Sequence, residues 1–442
     1  VKKKIYLIQP TYHNRDGRLL KGQTVFMHAL ALPALSRTVP REWQKEFCFE
    51  YFEDVNYNTD ASVVGITSMG YDVLHGCEIA EAFKNRGKIV LYGGHQAQFS
   101  EDSLESVADA VVHGHPSRDD MASILGDAES GRLAPKYRCG FDINFPFDYS
   151  VLSRKRARFM PVVTSVGCRN RCEYCCTAAM YGGRYHLRDL DSVLADLRAV
   201  RRRTRCAAFV DANLYNDRDY LMRLCSRMIK QNLRLRWGAQ STIDVGEDPE
   251  ILRLLRKAGC RILFIGLESI NQEGLNWLGK RYLARRYGEL IRRIREAKIA
   301  VAGFFMLGLD GDDGSSYETL FDFIHESRVS IPILNLLLPV PGTRMFERLK
   351  REGRLLVESP DGFLRNSPVY NTSCNRCLFL PKNMTVSQAE HGYLELGRRL
   401  FSFPEMLRRS AVSNPLLAAA VFVMNLDLRS KTRAVAAGHN GA

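Results

Sequence analysis

The sequence contains no apolar run that approaches the ~20 residues a membrane-spanning helix needs. Its longest late run, Leu416 to Met424, is far shorter and is expected to form a buried helix. No secretion signal is expected either, because the start, Val1-Lys2-Lys3-Lys4-Ile5, runs straight into a strand-like stretch. Without such a signal, the 12 cysteines do not read as a disulfide framework, and a reducing, cytoplasmic location is expected. The densest cysteine run lacks a His or Cys at zinc-finger spacing. Its neighbour Cys176 adjoins Cys175 and is poorly placed to share one centre. No appended RNA-binding module is recognisable.

What is present is a chain of 442 residues, 45% hydrophobic and 25% charged. Those values fit a soluble globular protein of two domains plus a tail. The net charge of +14 allows an anionic partner, but the basic residues are mostly scattered. The one dense group, Arg198, Arg201, Arg202, Arg203 and Arg205, closes an expected helix, where cations complement the helix dipole. A small-molecule substrate is therefore expected rather than nucleic acid, and no membrane span.

The central motif is Cys168-Arg169-Asn170-Arg171-Cys172-Glu173-Tyr174-Cys175, a C-x3-C-x2-C run directly after an apolar stretch from Phe159 to Gly167. Three thiolates so close can converge on one soft metal centre. Three ligands without a fourth fit a [4Fe–4S] cluster with one iron left open; a partial zinc knuckle is the alternative. With Tyr174 before the third cysteine, the run resembles the signature of the radical SAM superfamily. The resemblance implies that Cys168, Cys172 and Cys175 hold the cluster and that S-adenosylmethionine (SAM) chelates the open iron. It also implies that an electron breaks a C–S bond, giving a 5′-deoxyadenosyl radical that abstracts hydrogen from a substrate carbon. An external donor such as flavodoxin, ferredoxin or a dedicated reductase is implied as a partner.

Ahead of the motif, strands and helices alternate. Strands are expected at Lys4 to Pro10, Phe49 to Asp54, Ser62 to Ser68, Ile89 to Gly94 and Ala110 to Val112. Helices are expected at Phe26 to Ser36, Val73 to Asn85 and Ser103 to Ala108. This rhythm argues for a doubly wound parallel sheet, with ligands beyond the carboxyl ends of its strands. The stretch resembles the cobalamin-binding domain that precedes the catalytic domain in one class of radical SAM proteins. The matching pieces are Val64-Gly65-Ile66-Thr67, Ile79-Ala80, Leu91-Tyr92-Gly93-Gly94-His95 and Ala108 to Gly114. Gly93, Gly94 and His95 are the implied cofactor-binding residues. The sequence departs from the pattern at Gln96 to Phe99 and His115-Pro116, and it has no Asp-x-His-x-x-Gly. Cobalamin is implied, but some members of the class bind none, so both states stay open. His75, His95 and His113 are each read as loop or helix-end residues rather than metal ligands.

Beyond the linker, six strands alternate with helices: Pro161 to Val166, Cys206 to Asp211, Leu233 to Ser241, Ile262 to Gly266, Val301 to Leu307 and Ile333 to Leu338. They suit a partial (β/α)6 barrel, whose strand ends face the active site. The superfamily resemblance assigns Asp211 and Asn213 to the methionyl amino group, and Gln240 and Ser241 to the ribose or carboxylate. It assigns Glu268, in Gly266-Leu267-Glu268-Ser269, to SAM as well, and backbone contacts at Met306 and Leu307 to adenine. Pro339 to Thr343 resembles the turn after the sixth strand. Glu268 and Asp211 are the candidate catalytic residues, and Tyr174 is grouped with the cofactor-binding set. Asp310, Asp312 and Asp313 either start the next helix or meet a cationic substrate. Cys374 and Cys377 form a C-x2-C pair that an auxiliary metal could use.

The fold class expected is thus α/β, a cobalamin-binding-like domain over residues 1–130, a linker over 131–158, a radical SAM barrel over 159–350 and a mainly helical region over 351–442. The expected activity is radical attack on a carbon of a small polar metabolite with cobalamin-dependent methyl transfer. The alternatives are the same initiation without cobalamin, ending in dehydration or rearrangement, RNA modification, and a non-catalytic cobalamin or iron–sulfur sensor.

Overall fold

Helix Pro249–Ala258 shows how local sequence builds this chain. The Asp248 carboxylate accepts from the backbone of Glu250 and Ile251, Pro249 takes the first helical position, and Gly259 ends the helix at φ +112°. A side chain at 259 would meet the Leu235 carbonyl oxygen at 2.0 Å, so glycine is required there. Ile251, Leu252, Leu255 and Ala258 form the buried stripe.

The computed structural model describes residues 3–439, except 15–16, 71, 96–100, 142, 154–155, 358–375 and 413. It divides into two compact units, Val1–Val166 with His186–Ala208, and Gly167–Tyr185 with Phe209–Ala442.

In the first unit, strands β1 (Lys4–Gln9), β2 (Val25–Met27), β3 (Gln44–Phe49), β4 (Val63–Ser68), β5 (Ile89–Gly94), β6 (Ala110–His113) and β7 (Lys136–Arg138) precede β8 (Ala157–Val162). A six-stranded sheet takes the order β3-β1-β4-β5-β6-β7. Every pairing in it is parallel. The chain leaves β1 in one direction for β3 and returns to the other side for β4, which makes the β1/β4 crevice a topological switch point. Ile5, Leu7, Val63, Leu91 and Val112 pack with Leu32, Trp43, Met121 and Ile124 in its core. Each such side chain contributes roughly 1.5–3 kcal/mol on burial.

Two expectations fail here. The stretch Phe26 to Ser36 is not one helix: β2 pairs with β8, Phe26 packs on Phe159 at 4.9 Å, and the helix is Ala31–Thr38. The second strand is Gln44–Phe49, while residues 50–52 turn. Its polar start, Gln-Lys-Glu, gives no strand pattern, and pairing with β1 decides its conformation. Helix Arg118–Glu129 was not anticipated, although its capping box, Ser117 with Asp120, is visible as Ser-x-x-Asp.

The six strands expected of the barrel are present as β8, β11 (Cys206–Phe209), β12 (Arg236–Ser241), β13 (Cys260–Glu268), β14 (Ala300–Leu307) and β15 (Ile331–Leu336). Pro161 to Val166 is not one strand. β8 begins earlier and ends at Val162, and Ser165–Gly167 forms a separate β9, with β10 at Tyr185–Leu187. In the second unit β12 to β15 are parallel neighbours in chain order. The register puts Gln240, Phe264 and Ala302 on one row and Met306 beside Asn335 on another. Helices Val386–Leu400, Phe403–Ser410 and Pro415–His439 follow. The last covers the amino-terminal part of this sheet face: Leu417, Val421, Met424 and Leu428 pack on Ala300, Ala302, Ile331 and Phe264. Leu416 and Val423, on its other side, are exposed, so the expected buried helix is amphipathic. The fold is therefore α/β: a doubly wound parallel sheet, a partial (β/α)6 barrel and a helical C-terminal region. No helix among the described residues is long and apolar enough to cross a membrane.

Candidate active site

The cysteine loop starts from a glycine that nothing else can replace. Gly167 has φ +83°, and a Cβ there would meet the Arg184 carbonyl oxygen at 2.3 Å. Cys168 then donates its N–H to the Arg184 carbonyl at 3.2 Å. Asn216, buried, clamps the loop from both sides: its Oδ1 accepts from Arg169 N at 3.2 Å and its Nδ2 donates to Gly167 O at 3.3 Å. Further along, Glu173 N donates to Leu278 O at 3.1 Å, and Glu173 O accepts from Met345 N at 3.0 Å. The Glu173 carboxylate pairs with Arg348, whose guanidinium lies over Trp277 at 4.8 Å. Cys175 caps helix Cys176–Tyr181. With the backbone so occupied, the half-buried thiols of Cys168, Cys172 and Cys175 remain as donors.

Burial pushes the Cys172 thiol up to about 11, against the pull of Lys280. Burial also raises Cys168, so a bound metal centre must displace these protons. Lys280 and Glu268 stand directly beside the loop. Lys280 Nζ reaches Glu268 Oε1 at 3.0 Å and the Gly266 carbonyl at 2.5 Å, and the Tyr174 hydroxyl donates to the same Glu268 oxygen at 2.9 Å. Burial works against the Lys280 charge, yet Glu268 and Cys172 hold its pKa above the ordinary lysine value. Glu268 itself sits at φ +67°, a conformation that costs a non-glycine residue about 1–2 kcal/mol.

Asn213 is fully buried. Its Oδ1 accepts from Tyr215 N at 3.1 Å, Thr242 N at 3.2 Å and Thr242 Oγ1 at 3.4 Å. Its Nδ2 is buried without a hydrogen-bond partner among the described residues. Asp211 is buried nearby in sequence, Ser241 is buried, and Gln240 at the end of β12 is exposed. Met306 is half-buried and Leu307 buried; the Leu307 carbonyl already accepts from Leu337 N at 3.0 Å. Toward the carboxyl ends of the strands, the face bearing Gln240, Phe264, Phe304, Met306 and Asn335 is thus only partly covered.

The structure joins Tyr174 and Glu268 directly, and ties Asn213 to the turn after Ser241. Gly93, Gly94 and His95 belong to the other unit. There Gly94 has φ +103°, and a Cβ would meet Ser68 O at 2.4 Å. Lys280 and Asn216 were not singled out from the sequence, because neither belongs to a recognisable motif and both act through residues distant in the chain. The acidic loop is consumed locally. Asp310 pairs with Arg354, Asp312 accepts from Leu309 N, and Asp313 accepts from Ser315 N at the start of helix Ser316–Ser327. Thr343, in the Pro-x-Pro-Gly-Thr turn, caps helix Arg344–Arg351. Cys374 lies outside the described residues; the buried Cys377 thiol donates to Phe379 O at 3.2 Å.

Residues 162–324 match the family described as the radical SAM superfamily. The chain is 27% identical over 361 residues to the bacteriochlorophyllide d C-12(1)-methyltransferase of Chlorobaculum tepidum, covering 78% of this chain and 76% of that protein. It is 31% identical over 199 residues to the hopanoid C-2 methylase of Rhodopseudomonas palustris, covering 43% of this chain and 38% of that one. In fold it is similar to TsrM of Kitasatospora setae, a radical SAM methyltransferase solved with cobalamin and a [4Fe–4S] cluster, with a TM-score of 0.73, 16% identity and 100% coverage of both chains. It is also similar to OxsB, described as a cobalamin-dependent SAM radical enzyme, with a TM-score of 0.70, 11% identity and coverage of 97% of this chain and 72% of that one.

Residues 162–324 thus form a radical SAM domain, and the chain shares its overall fold with radical SAM proteins of the class that carries an N-terminal cobalamin-binding-type domain. The chain is an enzyme of the radical SAM type, a family that uses SAM and an iron–sulfur cluster.

Proposed function

We propose that this enzyme methylates a carbon of a small-molecule substrate. When bound, the cluster supplies the electron that cleaves SAM and cobalamin supplies the methyl group. Residues 159–350 hold the cluster and SAM, residues 1–130 hold cobalamin, 131–158 connect them and 351–442 close the barrel region. The observation that carries the reading is the donor set of the second unit. Three thiols stand on a clamped loop beside the Glu268–Lys280 pair, and the buried Asn213 Nδ2 has no partner among the described residues.

Cys168, Cys172 and Cys175 bind three irons, and Lys280 offsets thiolate charge next to Cys172. Asp211, Asn213 and Glu268 hold the polar end of SAM, Gln240 and Ser241 its ribose or carboxylate, and Met306 and Leu307 its adenine. In the first unit the residues fit a flat, amide-rimmed cofactor. Gly93 and Gly94 let the carboxyl end of β5 lie close against Val112 and Ser68 of its neighbours, and the Gln9 side-chain oxygen, at the end of β1, is buried without a partner among the described residues. An external flavodoxin, ferredoxin or dedicated reductase supplies the electrons, and the cytoplasm is the compartment that suits the cluster. The two curated relatives and TsrM are described as methyltransferases or methylases, and dehydration is not supported. The relatives' substrates differ widely, and a small polar metabolite remains the proposed class.

Anaerobically reconstituted protein, incubated with cobalamin and desalted, should carry about four irons and stoichiometric cobalt. Cys168→Ala should lose the iron and keep the cobalt. Iron without cobalt overturns the methyl-transfer reading; no iron in the wild type overturns the whole assignment. A finer test concerns the orphaned donor. Asn213→Asp keeps the Oδ1 acceptor but removes Nδ2, and should weaken SAM binding about 10-fold or more, the worth of one buried hydrogen bond. Equilibrium dialysis against labelled SAM reads this, and unchanged affinity removes Asn213 from the SAM site.

A further inference from the structure

The first unit gathers a second set of metal-ligating side chains that no step above uses. His13 lies in the loop after β1. His75 and Glu78 stand one turn apart on helix Val73–Lys84, so they share a face. One ligand atom from each of these three residues lies within 4.8 Å of the others. The His13 and His75 rings meet edge to face at 4.9 Å. The Nδ1 of His75 faces Glu78 Oε2 at 2.7 Å.

A fourth residue organises the set. Glu50, just past β3 and 3% exposed, takes the other ring nitrogen: its Oε1 lies 2.9 Å from His75 Nε2. The second Glu50 oxygen accepts from Thr11 N at 2.9 Å, which anchors the carboxylate to the chain leaving β1. With Nε2 held by the Glu50 carboxylate, the ring is oriented so that Nδ1 faces the Glu78 side of the cluster. That is the arrangement by which outer carboxylates orient histidine ligands on metals.

The carboxylates of Glu50 and Glu78 face the two ring nitrogens of His75, so the cluster offers carboxylate oxygens beside imidazole nitrogens to a divalent cation. His13 and Glu78 are exposed, which gives an ion a path in, whereas His75 is buried and rigid. Two imidazole nitrogens and one carboxylate form a borderline donor set. It suits Zn2+ and its first-row neighbours rather than Mg2+ or Ca2+, which prefer all-oxygen cages. Three protein ligands leave a tetrahedral position open for water or a ligand.

We propose that His13, His75 and Glu78 form a divalent transition-metal site, oriented by Glu50, in the N-terminal unit. It lies among the carboxyl-end loops of the sheet and ties the β1 loop to helix Val73–Lys84. The inference does not rest on the cobalamin reading, because its donors are this chain's own side chains.

The probe is Zn2+ alone, offered to cluster-reconstituted protein without cobalamin, followed by desalting and metal analysis. Wild type should retain about one zinc per chain while its iron content stays unchanged. His13→Ala and Glu78→Ala alter exposed residues, so folding is not at stake, and each should abolish the retained zinc at full iron content. Glu50→Gln should weaken zinc binding about 10–100-fold, the usual cost of removing an outer carboxylate. Wild type that retains no zinc, or variants that retain as much as wild type, overturn the proposal. Loss of iron in Cys168→Ala with zinc retained would separate this site from the cluster.

Discussion

Replacing Lys280 by methionine should destabilise the second unit by about 3–5 kcal/mol, the cost of removing one partner of a buried ion pair. Lys280 and Glu268 are both 6% exposed. Methionine keeps most of the side-chain volume, so the loss isolates the charge. Three things go at once: the partner of the Glu268 carboxylate, the donor to the Gly266 carbonyl and the cation nearest Cys172. Glu268 would then keep only the Tyr174 hydroxyl, while its left-handed backbone still needs surrounding contacts to hold it. Denaturant unfolding of the anaerobic holoprotein measures the effect, and iron content measures whether the cysteine loop survives. The double variant Lys280→Met with Glu268→Met should recover much of the loss, because two apolar groups leave no charge unpaired. A Lys280→Met protein within about 0.5 kcal/mol of wild type would show that this pair does not support the loop.

The second large effect is expected at Arg188 in the first unit. Arg188 and Asp196 have side chains 1% and 0% exposed, and their ion pair measures 2.8 Å. The guanidinium also donates to the carbonyls of Ile143, Val163 and Phe145, and lies over the Phe147 ring at 4.2 Å. Asp196 in turn accepts from Phe147 N at 2.8 Å. One side chain thus fastens the 143–147 segment to β8's end and to helix Leu190–Arg203. Arg188→Met leaves the Asp196 carboxylate with only the Phe147 N–H and no counter-ion, and takes one donor from each of three carbonyls, so it should cost about 3–5 kcal/mol. Because the chain has two units, a single unfolding transition is not assumed. Hydrogen exchange at the Phe147 amide, which reports this network directly, should accelerate far more in the variant than exchange in β13. Equal protection at Phe147 in variant and wild type would overturn the claim.

Much of the candidate site was legible because its signals are local. The cysteine spacing stands within one loop, and the strands ending at Ser241, Glu268 and Leu307, with the one that stops at Phe209 just before Asp211, each carry apolar character that needs no partner to be read. What stayed hidden depends on residues far apart in the chain. The strand Gln44–Phe49 has a polar start and exists through its pairing with β1. Val25–Met27 looks like the start of a helix and is held extended by β8. Lys280 reads as a surface lysine, and Glu50 as one carboxylate among many.

The sequence by itself determined the alternation of strands and helices, the helix ends set by Asp248, Ser117 and Gly259, and the three-thiol loop that follows Gly167. Those features are decided within a turn or a strand, by hydrophobic period, capping and the demand for positive φ. Only the tertiary structure decided which distant charges meet: Lys280 with Glu268, Arg188 with Asp196, and His75 with Glu50. Burial makes an ion pair strong or ruinous, and burial is a property of how distant segments cross.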